Sequence, residues 1–175
     1  GSLRKDSFNR KIAHLLMQIA PKLLEMQIIE IGQLPLFNQD DEATPPDAWL
    51  RFREAIKPLD GFLLVTPEYN RSVPAALKNA LDVGSRPYGK NLWNDKPCAI
   101  ISASIGALGG FGANHHLRQS LVFLNAPCMQ QPEAYLGSVD KLFDEKGNMN
   151  NDGTKAFLKQ FMEAFTRWVQ TNKKH

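Results

Sequence analysis

Apolar residues recur in two rhythms along the 175-residue chain, and the alternation between them predicts the architecture. Ile12, Leu15, Leu16 and Ile19 share one face of a helix that Ser7 caps and Pro21 closes. Trp49, Phe52 and Ile56 predict a second helix, capped by Asp47. Leu77 and Leu81 predict a third, from about Pro74, with Gly84 as its stop. Leu117, Leu121 and Leu124 mark a fourth, ended by Pro127. Leu158, Phe161, Phe165, Trp168 and Val169 form the buried face of a fifth, from about Thr154 to Thr171. Between these lie short apolar runs: Met26 to Ile31, Gly61 to Thr66, Pro97 to Ser102, and a lesser one from Cys128 to Gln131. Such runs, bounded by turn residues, suit strands of a parallel sheet covered on both faces.

The strand–helix alternation predicts a single α/β domain over residues 1–175, a parallel sheet between two helix layers. Only the loop Gly1–Asp6 precedes the first helix, where such a sheet has a central strand. A missing central strand would bare backbone groups and apolar edges. The pattern therefore predicts about ten more upstream residues, rich in Val, Ile and Leu.

Composition narrows the function classes. The chain is 43% hydrophobic and 22% charged with formal net charge +3, too mild to imply a nucleic-acid or membrane partner. Cys98 and Cys128 lack Cys-x-x-Cys spacing and are expected as reduced, buried thiols of an intracellular protein. No apolar run approaches the roughly 20 residues that span a bilayer, and a cytoplasmic location is expected. Adjacent His115 and His116 diverge by about 100° on a helix, so they do not chelate one ion together.

Three loops carry unusual chemistry. The first, Gly1–Arg10, leads into a helix whose N-terminus suits a phosphate, with Ser2, Arg4, Ser7 and Asn9 as further donors. A capped helix with solvated charges fits the same stretch. The second, Thr66-Pro67-Glu68-Tyr69-Asn70-Arg71-Ser72-Val73-Pro74, follows an apolar run. Its backbone N–H groups suit the pyrimidine edge of a flavin, Tyr69 a ring face, and the Asn70 amide a ring atom or the loop itself; a plain strand-to-helix turn fits too. The third, Ser102–Gly112, is glycine-rich, and glycine lets backbone approach a flat ring.

In this order the loops resemble those of the NADPH-dependent FMN reductases, particularly the soluble quinone and chromate reductases. The resemblance is carried by Gly1-Ser2-Leu3-Arg4 with Ser7-Phe8-Asn9, Thr66-Pro67-Glu68-Tyr69-Asn70 and Leu77-Lys78-Asn79-Ala80-Leu81-Asp82. Ser104-Ile105-Gly106, Gly109-Gly110 and His116-Leu117-Arg118-Gln119 continue it, to about Gly137. It implies a flavodoxin-like three-layer sandwich with a five-stranded parallel sheet, the first strand ahead of Gly1. It implies bound FMN, with NADPH or NADH as co-substrate. Ser2, Arg4, Ser7 and Asn9 would hold the FMN phosphate; Pro67, Glu68, Tyr69 and Asn70 would contact the isoalloxazine, with Ser104 and Gly106 beside it. The implied acceptors are small molecules: quinones, free flavins, azo compounds and oxidised metals such as chromate. A homodimer or homotetramer is implied, and Arg118 matches a subunit-contact position, although a surface arginine fits it equally. Ala75 and Val83 depart from the family's usual Gly and Trp, which bears on substrate range. Two other classes share the scaffold, a flavodoxin-type electron carrier and a flavin-free binding domain. The carriers are acidic as a family and this chain is not.

Overall fold

β2, Cys98–Ala103, lies at the centre of the sheet in a computed structural model that describes residues 1–173. It is flanked by β1, Phe62–Thr66, and β3, Ala134–Leu136, all parallel. The register pairs Phe62 with Cys98 through Thr66 with Ser102, and Ile101 with Ala134 through Ala103 with Leu136.

The period-two geometry of a strand sorts β2 between two cores. Cys98 and Ile100 join Trp49, Phe52, Ile56, Leu77, Leu81, Leu117 and Leu121 on one face. Ala99, Ile101 and Ala103 join Ile12, Leu16, Leu158, Phe161, Met162 and Phe165 on the other. Helices α2 (Asp47–Ile56), α3 (Ala75–Ser85) and α4 (Phe111–Phe123) supply the first layer. The second comes from α1 (Phe8–Ile19) and α5 (Asp152–Asn172). All six β2 residues are buried, as the continuous apolar run predicts.

The helix ends depart from expectation in instructive ways. Ser7 caps α1, its hydroxyl accepting the Arg10 N–H at 3.2 Å. Asp47 does not cap α2: it lies in the first turn, behind Pro46, where its charge still complements the helix dipole. Gly84 lies inside α3 and serves packing, since a Cβ there would sit 2.5 Å from the Trp93 ring. Asn151 caps α5 by accepting the Thr154 N–H at 2.8 Å.

Among the described residues three strands form where the sequence predicts more. Met26–Ile31 forms no regular element: its Ile29 and Ile31 lie against one core and Met26 against the other, but it joins no ladder. A cavity of about 850 Å³ separates this segment from β1, lined by residues including Gln27, Ile29, Ile31, Leu63, Val65 and Phe165. It runs along one edge of β1, which lines it through Leu63 and Val65. It also explains why Leu63 and Val65 are only half-buried, although the run predicts a strand covered on both faces. Cys128 makes a single bridge to Cys98, and the third strand falls later than the expected 128–131, at Ala134–Leu136.

Candidate active site

Parallel strands send their following loops to one edge of the sheet, where ligands of such folds bind. The loops after β1 and β2 meet there with the loop ahead of α1. The Gly1 amino nitrogen donates to the Val65 carbonyl at 2.6 Å, and Asn9 Nδ2 donates to the Ala103 carbonyl at 3.3 Å. The first loop is thereby fastened to the ends of β1 and β2.

Within that loop the Ser2 hydroxyl accepts the Arg4 N–H at 3.4 Å. The Phe8 and Asn9 amides belong to the first turn of α1, whose N–H groups have no partner inside the helix. The Arg4 side chain is exposed and has no carboxylate partner among the described residues. Asn9 is buried, and its Oδ1 is a buried side-chain acceptor without a donor. Ser2 and Asn9 also line the mouth of the large cavity.

The second loop reverses tightly. Tyr69 and Ser72 exchange backbone hydrogen bonds of 3.0 and 2.9 Å around Asn70 and Arg71. Both central residues take left-handed backbone, φ 49° and 63°, a conformation Asn tolerates better than most residues. Asn70 is thus the turn former of this loop. Helix α4 clamps the turn at three points. Glu68 Oε2 accepts the Ala113 N–H at 3.1 Å, capping a helix whose own N-cap is Gly110 and offers no side chain. Ser72 Oγ and His116 Nδ1 lie 2.8 Å apart. Gly112 faces the turn so closely that a Cβ would stand 2.7 Å from the Arg71 carbonyl oxygen. Arg71 pairs with the other Glu68 oxygen at 3.3 Å, and the Glu68 side chain is only 11% exposed. The Glu68 carboxylate is therefore committed to α4 and Arg71, while Tyr69 remains exposed at the edge.

In the third loop the glycines divide their work. Gly109 and Gly110 have φ of 59° and 78°, and a Cβ would collide with the Tyr135 backbone and with Ser102 Cβ respectively. They let the loop lie flat on β3 and β2. Gly106 faces open space apart from Ser104 Oγ, which accepts its N–H at 3.1 Å.

His115 and His116 diverge as helical geometry requires, His115 Nε2 lying 3.0 Å from the Tyr135 hydroxyl and His116 reaching Ser72. Arg118 folds inward: its Nε donates to Asn114 Oδ1 at 3.1 Å and its Nη1 to the Met129 carbonyl at 3.1 Å. Asn114 itself is wholly buried and donates to Ser102 Oγ at 3.3 Å and the Ala134 carbonyl at 3.4 Å, joining α4, β2 and β3 just behind the site. Nothing in the sequence marks Asn114 out from other helical polar residues. Asn79, inside the Leu-Lys-Asn-Ala motif, is a scaffold residue. Its Oδ1 accepts the Phe37 N–H at 2.8 Å and its Nδ2 donates to the Leu34 and Pro35 carbonyls, pinning the turn-rich segment to α3.

Comparison with known proteins identifies the family and the fold. Residues 1–141 match the family model of the NADPH-dependent FMN reductases. The chain is 59% identical over 174 residues to a quinone reductase of Pseudomonas putida, spanning 99% of this chain and 93% of that protein. It is 44% identical over 170 residues to a 2-hydroxy-1,4-benzoquinone reductase of a Burkholderia species, spanning 97% and 93%. Among solved structures it superposes on FerB, a flavoenzyme NAD(P)H:(acceptor) oxidoreductase from Paracoccus denitrificans, with TM-score 0.93 and 38% identity over 99% of this chain and 96% of that one. The chain belongs to the NADPH-dependent FMN reductase family and has its flavodoxin-like α/β fold.

Proposed function

We propose that residues 1–175 act as one FMN-binding domain that oxidises NAD(P)H and passes the electrons to a small quinone. Free flavins, azo compounds and oxidised metals such as chromate are the further acceptors of this reading. The single observation that carries it is the meeting, at one sheet edge, of the α1 N-terminus, an exposed arginine and a loop clamped by α4. The residues fit the cofactor on chemical grounds. Arg4, Ser2, Ser7 and the first-turn amides of α1 offer a cation, hydroxyls and N–H groups for a phosphate dianion. The orphaned Asn9 Oδ1 requires a donor, and a ribityl hydroxyl is one. Pro67, Glu68, Tyr69 and Asn70, with Ser104 and Gly106, would border the ring.

FMN, when bound, supplies the chemistry, accepting a hydride from the nicotinamide and delivering electrons to the acceptor. The chain's part is to orient and stabilise. Backbone N–H groups of the clamped loop would border the pyrimidine edge, where reduction accumulates negative charge, and would need no reorganisation because α4 already holds the turn. No side chain need act as acid or base, so none is assigned as catalytic. Subunits would pair as a homodimer or homotetramer. Among the described residues no helix is long and apolar enough to cross a membrane. Steady NADPH consumption by the FMN-loaded protein with a small quinone tests the proposal, and no consumption above the protein-free rate overturns it.

A further inference from the structure

Away from the loop edge, at the opposite end of β2, Cys98 and Cys128 face each other. Cys98 donates its N–H to the Pro127 carbonyl at 3.0 Å and its carbonyl accepts the Met129 N–H at 2.8 Å, which makes Cys128 its direct partner across a parallel bridge. Neighbouring strands lie about 4.8 Å apart, inside the Cα separation a disulfide spans. Each thiol also reaches a backbone carbonyl, Cys98 Sγ that of Ala126 at 3.9 Å and Cys128 Sγ that of Met129 at 3.8 Å. They are unequal. Cys98 is wholly buried, and burial followed by the neighbouring thiol pushes it well above the ordinary thiol range. Cys128 is half-buried, with Arg118 Nη1 at 3.6 Å from its sulfur. The neighbouring Cys98 thiol draws Cys128 below that range against the opposing effect of burial, and the Arg118 charge acts in the same direction. Arg118 is not free to swing away, because Asn114 and the Met129 carbonyl fix its guanidinium. A thiol beside a fixed cation, backed by a second thiol, is the arrangement of oxidant-sensitive cysteine pairs.

We infer that Cys128 and Cys98 form a hydroperoxide-sensitive dithiol site, separate from the flavin edge, in which Cys128 is oxidised first and Cys98 closes an intramolecular disulfide. In the first step the Cys128 thiolate attacks a peroxide oxygen. An S–O bond forms, the O–O bond breaks, and with hydrogen peroxide the leaving hydroxide takes up a proton as water. In the second, the Cys98 sulfur attacks the Cys128 sulfenic sulfur: an S–S bond forms, the S–O bond breaks, and the Cys98 proton leaves with hydroxide as a second water. Both thiols are oxidised, and one peroxide is reduced to two waters.

The test treats the folded, FMN-loaded protein with hydrogen peroxide, blocks remaining thiols with iodoacetamide, and reads intact mass and non-reduced peptides. The expected result is a mass lower by two hydrogens, a peptide linking Cys98 to Cys128, and reversal by dithiothreitol. Cys98→Ala should stop at a Cys128 sulfenic acid that dimedone captures, and Arg118→Ala should slow the first step. If Cys98→Ala does not fold, the wild-type peptide map decides alone. Two alkylated thiols after peroxide treatment, oxygen added to Cys128 without a cross-link, or a disulfide between chains would each overturn the assignment.

Discussion

The Glu68 carboxylate caps helix α4 from outside, its Oε2 accepting the Ala113 N–H at 3.1 Å. The contact binds the loop after β1 to the helix after β2, so the two loops that border the candidate ring site move as one piece. Removing it exposes both partners' needs: α4 loses its cap and the turn loses an anchor. Glu68→Ala is expected to cost about 1–2 kcal/mol of stability, the usual range for a lost cap or charged hydrogen bond. FMN retention should weaken with it, while Glu68→Gln, which still accepts, should keep most of both. Urea denaturation and a flavin fluorescence titration of the three proteins check this.

Gly112 marks the same contact from the helix side. A Cβ there would lie 2.7 Å from the Arg71 carbonyl oxygen and 2.9 Å from Glu68 Oε2. Gly112→Ala should therefore destabilise by about 1–3 kcal/mol through overpacking, although alanine is the better helix former. At Gly106 a Cβ would meet only Ser104 Oγ, at 3.6 Å, so Gly106→Ala should leave stability nearly unchanged. Melting temperatures of the two variants should separate accordingly.

Arg4 is exposed and without a carboxylate partner among the described residues, so its charge is available to a ligand. As a charge-assisted partner of the FMN phosphate it would contribute about 1.5–3 kcal/mol, or roughly ten- to 150-fold in Kd. Arg4→Ala should raise the FMN Kd by that factor and leave the riboflavin Kd, measured on the same protein, unmoved. An equal loss for both ligands would place Arg4 elsewhere.

Glu30 links the extended segment to α1 through Arg10, at 2.5 Å. The Arg10 hydrogen bond holds the Glu30 carboxyl below its ordinary range. The folded protein therefore binds that proton less tightly than the unfolded chain does. The resulting stability is present above the unfolded pKa and is lost as pH falls through the folded one. Both side chains are largely exposed, so the effect is small and salt-sensitive. The melting-temperature gap between the wild type and Glu30→Gln should close as pH drops below the carboxylate range and as salt rises. A gap that persists at low pH would assign it to packing.

Some of this was legible in the chain and some was not. The apolar runs 61–66 and 97–102 located β1 and β2 because buried parallel strands need little beyond apolar content. The run 26–31 has the same content, yet a ladder requires a paired neighbour, and a cavity separates this run from β1. β3 is three residues, Ala-Tyr-Leu, too short to stand out as a run. In the site, Ser7 as a cap and the loop order could be read from residue type and spacing. The clamp could not: Glu68 and Ala113 are 45 positions apart, and only the folded chain brings them together. Asn79 shows the converse, a motif residue whose pattern is conspicuous and whose role is to hold the scaffold.

The most direct measurement is the visible spectrum of the FMN-loaded protein under anaerobic conditions, followed through successive additions of NADPH and a small quinone. NADPH should abolish the absorption band of oxidised flavin, and the quinone should restore it in one-to-one proportion. A band that NADPH leaves intact, or that the quinone fails to bring back, would contradict the account.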